Sequence, residues 1–267
     1  MTNNLNREEE PLLGRVASTS TSELLRKHFS NIIDTQGGDL LLLFCYLITG
    51  ILDSSAVFMW GSFVSMQTGN TIYLGLGITG AGQIGRWQKS AVSIASFCLG
   101  SQAFAAWHRF FPERRRWVMC VSFALQTTCI IVAAIIVILN PDGNSQPFWL
   151  EYGPLAIIAF QSGGQAVISR VLSFNTLTSV VLTSIYCDFF ASPTLLSVHA
   201  LSRKEQLQRA GAILSLVTGA VCGGFLVRTS AGFVSALWVA AFLKGVAMIA
   251  LVFWKAEKPT TDEAERG

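Results

Sequence analysis

The stretch TGILDSSAVFMWGSFVSMQTGNTIYLGLG, residues 49–77, decides the fold of this chain. It starts as an apolar segment around Asp53 and then passes into a polar run, residues 65–71, which contains Gln67, Asn70 and a glycine. In a bilayer every backbone amide needs a partner, so irregular backbone at membrane depth is tolerated only where protein buries it or where it lines a cavity. The stretch therefore predicts a membrane helix followed by a broken or re-entrant segment.

The whole chain has the composition of a polytopic membrane protein. Only 13% of its 267 residues are charged, about half the roughly 25% of a soluble domain. Hydrophobic residues make up 51%, and the mean hydropathy is +0.50. The net charge of +3 is small, and the basic residues fall in short loops rather than in a patch with interleaved aromatics. This pattern gives no support for nucleic-acid binding.

Six windows are long and apolar enough to span the roughly 30 Å core of a bilayer. They are residues 40–60, 89–108, 117–139, 152–169, 210–227 and 233–254. Two further stretches, 61–80 and 174–190, are rich in Gly, Ser, Thr and Asn and are interpreted as re-entrant pieces. The alternative is eight crossings. The positive-inside rule favours six, because that topology puts eleven basic residues and both termini on the cytoplasmic side.

The chain divides into two polar tails and one membrane domain. The expected parts are a disordered cytoplasmic tail over residues 1–38, a transmembrane domain over 39–255 and a polar C-terminal tail over 256–267. Within the membrane domain, repeat one covers about 39–140 and repeat two about 152–255.

The two repeats align without gaps over short pieces. A shift of about 115 residues pairs Gly50 with Gly164, and a shift of 119 pairs Gly100 with Gly219. Because each repeat crosses three times, an odd number, the two halves must be inverted in the membrane. Inverted repeats with broken helices are typical of secondary transporters, which bind their solutes near the midplane. The predicted fold is an all-α, polytopic integral membrane protein with about six transmembrane helices in two inverted three-helix repeats.

Two charged side chains lie deep in apolar windows. Asp53 is expected either to bind an ion, a proton or a substrate amine, or to form a helix–helix hydrogen bond or cap a break near Gly50. Lys244 is expected to face a cavity or to pair internally, since it is too deep to reach the membrane surface easily. Ion pairs of Lys244 with Asp53 or with Asp188 are both candidates.

Polar residues at the predicted breaks complete the candidate solute or ion site. The first-half candidates are Asp53, Gln67, Thr68 and Asn70, and the second-half candidates are Gln165, Thr183, Asp188 and Lys244. Further polar residues of the second break are Gln161, Asn175, Thr176, Thr178 and Ser184. The competing interpretation is that these side chains only form hydrogen bonds between packed helices. Helix packing is also predicted for the four-residue periodicity of Gly211, Ser215, Gly219 and Gly223.

No catalytic, metal or cofactor motif is present in the sequence, so no catalytic residue, metal site or cofactor is predicted. A paired-aspartate intramembrane protease is a minor alternative, and it would use Asp53 and Asp188 as its two carboxylates. In the N-terminal tail, Glu8, Leu12 and Leu13 have the spacing of an acidic dileucine signal for a sorting adaptor. The alternative there is a plain disordered tail, and the destination is the plasma membrane or the vacuolar membrane.

Residues 49–77 resemble the hallmark of the YoaK family, a membrane-protein domain of unknown function. The specific part of the resemblance is the spacing of Gly50, Asp53, Phe63, Gln67, Thr68, Gly69 and Asn70. The second-half stretch 159–190 is similar to the fungal members, which implies a fungal source. The resemblance covers about residues 36–255 and implies a six-helix membrane protein with no established substrate. Ser184 departs from the Thr-Gly pair that many members carry.

Taken together, these observations predict a transporter or permease for a small polar solute or ion. The alternative classes are a non-transporting membrane scaffold or assembly factor and, third, an intramembrane enzyme. The expected partners are the lipid bilayer, the solute, a sorting adaptor and a second copy of the chain in a homo-oligomer.

Overall fold

The computed structural model describes residues 21–111, 114–140, 148–174, 177, 179–193 and 204–257. Over these residues the chain forms helices and no strands, apart from two isolated β-bridges. The helices are α1 (Thr21–Ser30), α2 (Gly38–Trp60), α3 (Gln67–Ile78), α4 (Arg86–Phe110), α5 (Arg116–Leu139), α6 (Phe148–Val171), α7 (Thr183–Phe190), α8 (Lys204–Leu226) and α9 (Gly232–Val252). Five of them, α2, α4, α5, α8 and α9, are long and apolar enough to cross a bilayer. The predicted all-α polytopic membrane class is confirmed.

Helix α6 runs between the same two ends of the bundle as these five. Near its start, Glu151 forms an ion pair of 3.2 Å with Lys89 at the beginning of α4. Just after its end, the ring of Phe174 covers Gly38 at the beginning of α2. With 24 residues, at about 1.5 Å per residue, α6 has the length to traverse the bilayer despite Pro154.

The end of the bundle at which α2 begins collects the basic loops, as a six-crossing topology requires. Lys204, at the start of α8, lies 3.5 Å from Asp39, and Arg114, before α5, is bonded through its carbonyl to the Ile33 amide. At the opposite end, Trp60 packs edge-on against Phe233 at the start of α9. Assignment of the first end to the cytoplasm stays a prediction.

The packing of α2–α5 and α6–α9 follows one scheme twice. Helix α2 packs on α8 as α6 packs on α4, and α3 packs on α4 as α7 packs on α8. Likewise α5 packs on α6 as α9 packs on α2, while α5 and α9 pack on each other. Exchanging the two halves therefore reproduces the set of helix pairs.

The first re-entrant segment comprises a loop, residues 61–66, followed by α3. Helix α2 ends because Gly61 adopts a left-handed conformation, with φ at 69°, which glycine reaches without steric cost. The loop then returns to Asp53, seven residues or about 10 Å back along α2. Helix α3 runs outward from there, so that Gly77 lies against Trp87 near the start of α4.

The second re-entrant segment enters from the opposite end and comprises non-helical residues, described at 172–174, 177 and 179–182, followed by α7. Phe174 lies at the α2 start, whereas the carbonyl of Ser179 reaches Thr49 at 2.9 Å. Thr49 is eleven residues, or about 16 Å, along α2. Each half of the chain thus carries one interrupted segment, and the two interruptions reach the bundle interior from opposite ends.

A clasp of three chain segments, residues 28–34, 114–116 and 252–257, closes the end at which α2 begins. Backbone hydrogen bonds join Ile33 to Arg114 and Asp34 to Lys255 at 2.9 and 3.0 Å. The buried guanidinium of Arg116 donates to the carbonyl of His28 at 2.6 Å and to that of Trp254.

The N-terminal region therefore differs from the expected disordered tail over residues 1–38. From Thr21 onward it is helical and then tied into the clasp, because its backbone groups find partners on two other segments. The candidate sorting residues Glu8, Leu12 and Leu13 lie outside the described residues.

Replacing Arg116 by alanine is expected to open this clasp. Two charge-assisted hydrogen bonds are lost, which costs about 3 kcal/mol of unfolding free energy. We expect a lower melting temperature in detergent and faster tryptic cleavage after Arg26 and Lys27 in α1. Arg109→Ala, an exposed arginine on α4, is the matched control. Equal cleavage of the two variants would show that Arg116 does not hold the clasp.

Candidate functional site

Asp53 holds the first re-entrant loop in place. One carboxylate oxygen accepts the backbone N–H groups of Val64 and Ser65 at 2.8 and 2.9 Å, and the other accepts the Ser65 hydroxyl. Asp53 is only 3% exposed. These amides have left α2 and have not yet entered α3, so a carboxylate on α2 supplies the acceptors that lipid cannot. The geometry matches the cap of a helix break, but the expected break near Gly50 is wrong, because α2 continues through Gly50 and ends at Trp60.

Asn70 and Gln67, on the first turn of α3, complete the enclosure of this loop. The Asn70 amide contacts both backbone groups of Phe63, its oxygen accepting the N–H at 3.0 Å and its nitrogen donating to the carbonyl at 2.8 Å. Gln67 donates to the Val64 carbonyl at 3.0 Å. Ser93 on α4 donates to the Phe63 carbonyl at 2.7 Å. These polar groups are consequently occupied by the loop and its neighbours.

Lys244 lies at the centre of a second group of polar side chains, the lysine cluster, made of Thr49, Gln161, Gln165, Ser179 and Lys244. Its ammonium donates to the side-chain oxygens of Gln165 at 2.5 Å and of Gln161 at 3.2 Å. Lys244 is completely buried, halfway along α9. Among the described residues no carboxylate lies within ion-pair distance of it. The cluster therefore holds an amino group whose hydrogen-bond partners are neutral amides, with the ring of Phe123 at 5.7 Å.

From Lys244 a chain of hydrogen bonds leads to the second re-entrant loop. The nitrogen of the Gln165 side chain donates to the Thr49 hydroxyl at 2.7 Å, and Thr49 donates to the Ser179 carbonyl at 2.9 Å. Every donor in this chain points away from Lys244. The orientation is the one that a positive charge at Lys244 favours, because the amide oxygens face the ammonium.

Both re-entrant loops are attached to one face of α2. Tyr46 donates to the Val181 carbonyl at 3.3 Å and Thr49 to Ser179, both in the second loop. Asp53 accepts from the first loop. Positions 46, 49 and 53 follow the spacing of a single helix face. Helix α2 is therefore the common attachment of both interruptions.

The predicted ion pairs of Lys244 are wrong. Asp53 is taken up by the backbone of the first loop, and the carboxylate of Asp188 lies on the outer side of α7, 3.9 Å from Arg209. Asp53 and Asp188 thus have separate surroundings, which removes the geometric basis for a paired-aspartate enzyme.

Among the other sequence candidates, Thr68 and Thr183 are exposed and belong to neither polar group. Exposure follows from their position on the outer faces of α3 and α7, which pack mainly on α4 and α8. Ser184 is likewise exposed. Asn175, Thr176 and Thr178 lie outside the described residues.

Thr49, Ser93 and Ser179 have roles that the sequence did not reveal. Each lies in a segment that carries other hydroxyl side chains, and its partner is distant in sequence, so spacing alone does not single it out. A further buried amide, Gln126, lies on α5. Its nitrogen donates to Ser122 at 3.3 Å, whereas its oxygen has no partner among the described residues. Such an orphaned acceptor is rare in a packed interior and is typical of a site that takes up water or a ligand.

The glycine stripe on α8 packs against α2. A side chain at Gly219 would collide with the Leu47 carbonyl and one at Gly223 with Ser54. Gly211 faces Leu43, and Ser215 lines an apolar groove with α2 and α9.

The equivalent contact in the other half joins Gly100 on α4 to the backbone of Phe160 on α6. This packing pairs Gly50 with Gly163, because each meets the same two positions of its partner helix. The sequence alignment with Gly164 is therefore off by one residue.

Comparison with known proteins gives a family but no function. A family model described as "Protein of unknown function (DUF1275)" matches residues 41–250. Neither the curated proteins nor the solved structures contain a match to the chain. The matched range spans α2 through nearly all of α9 and so includes both re-entrant segments. The finer resemblance to YoaK proteins and the fungal source stay predictions.

Proposed function

We propose that this chain, which belongs to the DUF1275 family of unknown function and has the helices of a multi-pass membrane protein, transports a small polar solute or ion. The proposed solute site is the lysine cluster. Both termini are proposed to be cytoplasmic, since the clasp end carries the basic loops.

The observation that carries the proposal is the burial of Lys244 with no carboxylate from the described part of the chain beside it. A charged side chain at the centre of a membrane helix costs about 2.5–3.5 kcal/mol on insertion scales. Helix packing alone does not explain that cost, because a leucine or methionine would pack at Lys244 without it. Intramembrane ionisable residues of this kind mark solute or ion pathways.

The arrangement of the two halves supports the same function. Their packing scheme is repeated, and their interruptions enter from opposite ends, which is what two inverted repeats produce. In transporters of that design, one set of helices rocks against the other around a site near the midplane. Here α2 and α8 form one pair and α4 and α6 the other, and the two pairs meet through α9, which packs on α2, and α5, which packs on α6 and on α9.

Native Cys45 provides a test of access to the proposed site. Its carbonyl accepts from Gln165 at 3.2 Å, and its side chain is completely buried. In protein whose other five cysteines, Cys98, Cys120, Cys129, Cys187 and Cys222, are replaced by alanine, we expect alternating access to expose Cys45. The measurement is labelling by a membrane-impermeant methanethiosulfonate, applied separately to each side of sealed vesicles.

A second cysteine position controls for labelling that results from nonspecific opening of the helix bundle. Ala133 on α5 is also completely buried, but it lies in the apolar core. The control protein therefore combines Ala133→Cys with Cys45→Ala, so that position 133 carries the only cysteine. A transporter predicts labelling of Cys45 from both sides at rates at least tenfold above those of the Ala133→Cys control. Equal protection of both positions would reject alternating access at the lysine cluster.

A membrane scaffold or assembly factor is the second candidate. The observation that favours it is the first re-entrant loop, whose polar partners Asp53, Gln67 and Asn70 bond to the protein itself. In that case the polar side chains stabilise an irregular backbone and carry no solute. Uniform protection of Cys45, together with a stable purified protein, is the result expected for a scaffold.

A further inference from the structure

The charge of the lysine cluster points to the class of solute. Lysine has three N–H donors, and the described residues accept two of those of Lys244, both through amide oxygens. Its third donor has no hydrogen-bond partner among the described residues, and its charge faces only the ring of Phe123, whose centroid is 5.7 Å away, with no carboxylate within ion-pair distance. A cation bound beside Lys244 would add repulsion, whereas an anion would neutralise the ammonium and accept its remaining hydrogen bond.

Asp53, the other buried charge of the midplane, does not fulfil this role. Its two oxygens accept three hydrogen bonds from the first loop. The carboxylates that form ion pairs lie near helix ends or outside the membrane helices, on Asp39, Glu151, Asp188 and Glu257. The lysine cluster is thus left with one formal positive charge.

We propose that the lysine cluster binds a small monovalent anion. One uncompensated charge matches one negative charge, and the neutral amides of Gln161 and Gln165 orient the ammonium without neutralising it. This inference rests on the proposed function for its transport role, but anion binding itself is measurable without transport.

Thermal unfolding of the purified full-length protein in detergent tests the binding. The probes are sodium chloride, nitrate and formate, at constant ionic strength, with sodium gluconate as the reference anion that is too large for a buried site. A ligand that binds only the folded state raises the melting temperature. We expect a saturable rise of about 5 °C at 100-fold excess over Kd for at least one of the three anions.

Three variants tie the effect to the cluster. Lys244→Met is expected to abolish the rise, while Lys89→Met, which removes a lysine that already has Glu151 as partner, is expected to keep it. Gln161→Glu retains Lys244 and places a carboxylate at a position 3.2 Å from its ammonium. We expect this variant to melt higher than the wild type in gluconate and to lose at least tenfold in apparent anion affinity.

The outcomes separate the two proposals. A wild type that gains no stability from any of the three anions, or a Lys244→Met variant that keeps the full gain, would overturn the anion site. Anion binding combined with complete protection of Cys45 would keep the anion site and reject transport. Cys45 labelled from both sides, with no stabilisation of the wild type by any of the three anions, would keep transport and reject the anion.

Discussion

The Gly50→Ala variant is expected to lose most of its folded population, because its new methyl group has no space between α2 and α8. The added Cβ would collide with the Leu216 carbonyl and lie 2.7 Å from the Ala220 nitrogen. These are backbone atoms of a packed helix, so they do not rotate away as a flexible side chain would. Overpacking costs about 1–3 kcal/mol where side chains adjust, and we expect about 3 kcal/mol or more here.

The same result is expected at the equivalent position of the other half. In Gly163→Ala the methyl group would collide with the Phe97 carbonyl and lie 2.7 Å from the Ser101 nitrogen. The measurement is the yield of monodisperse protein after extraction, together with its melting temperature. Gly224→Ala on α8 and Gly153→Ala on α6 are the matched controls, because a Cβ at either position meets no atom within 4 Å. If Gly50→Ala behaves like Gly224→Ala, the close helix contact is not needed for folding.

Asp53→Ala is expected to destabilise the protein by about 3 kcal/mol or more, whereas Asp53→Asn costs about 1 kcal/mol. Alanine leaves three buried donors of the first loop, the N–H groups of Val64 and Ser65 and the Ser65 hydroxyl, without an acceptor. Each unsatisfied buried donor costs about 1–3 kcal/mol. Asparagine keeps one oxygen for the two amides, and its nitrogen donates to the Ser65 hydroxyl instead.

This pair of variants also separates a structural from a charge-coupling role for Asp53. Melting temperatures measure stability, and Cys45 labelling measures access in the same preparations. If Asp53 acts as a cap, the Asp53→Asn variant keeps both its melting temperature and its rate of Cys45 labelling near the wild-type values. An Asp53→Asn protein that melts normally but no longer exposes Cys45 would show that the negative charge itself is required for the movement.

Much of the membrane fold could be predicted from composition and spacing. The scarcity of charged residues and the length of the apolar windows follow from the bilayer environment, because its core requires about 20 apolar helical residues for each crossing. The six windows match the six long helices from α2 to α9 to within several residues. The polar run 65–71 similarly predicts a break, because its side chains and glycine are incompatible with a lipid-facing helix.

The sequence also singled out Asp53 and Lys244 correctly as buried charges, but not their partners. Burial follows from their depth in an apolar window. Partner choice depends on helices that meet in space, and the decisive bonds join residues 79, 116 and 130 positions apart. Opposite charge makes Asp188 a candidate partner of Lys244, whereas the structure puts it on the outside of α7, 3.9 Å from Arg209.

The sequence by itself determined that the chain lies in a bilayer, how many long helices it has and where the two interruptions fall. Each of these features is a local consequence of side-chain polarity and backbone hydrogen bonding. Only the tertiary structure decided which polar side chains bind the backbone of the re-entrant loops and which do not. Asp53 and Asn70 are bound to a loop that returns beside them, while Lys244 meets two neutral amides. The physical reason is that a buried charge takes its character from its nearest acceptors and donors, which the packing of α2, α6 and α9 brings together.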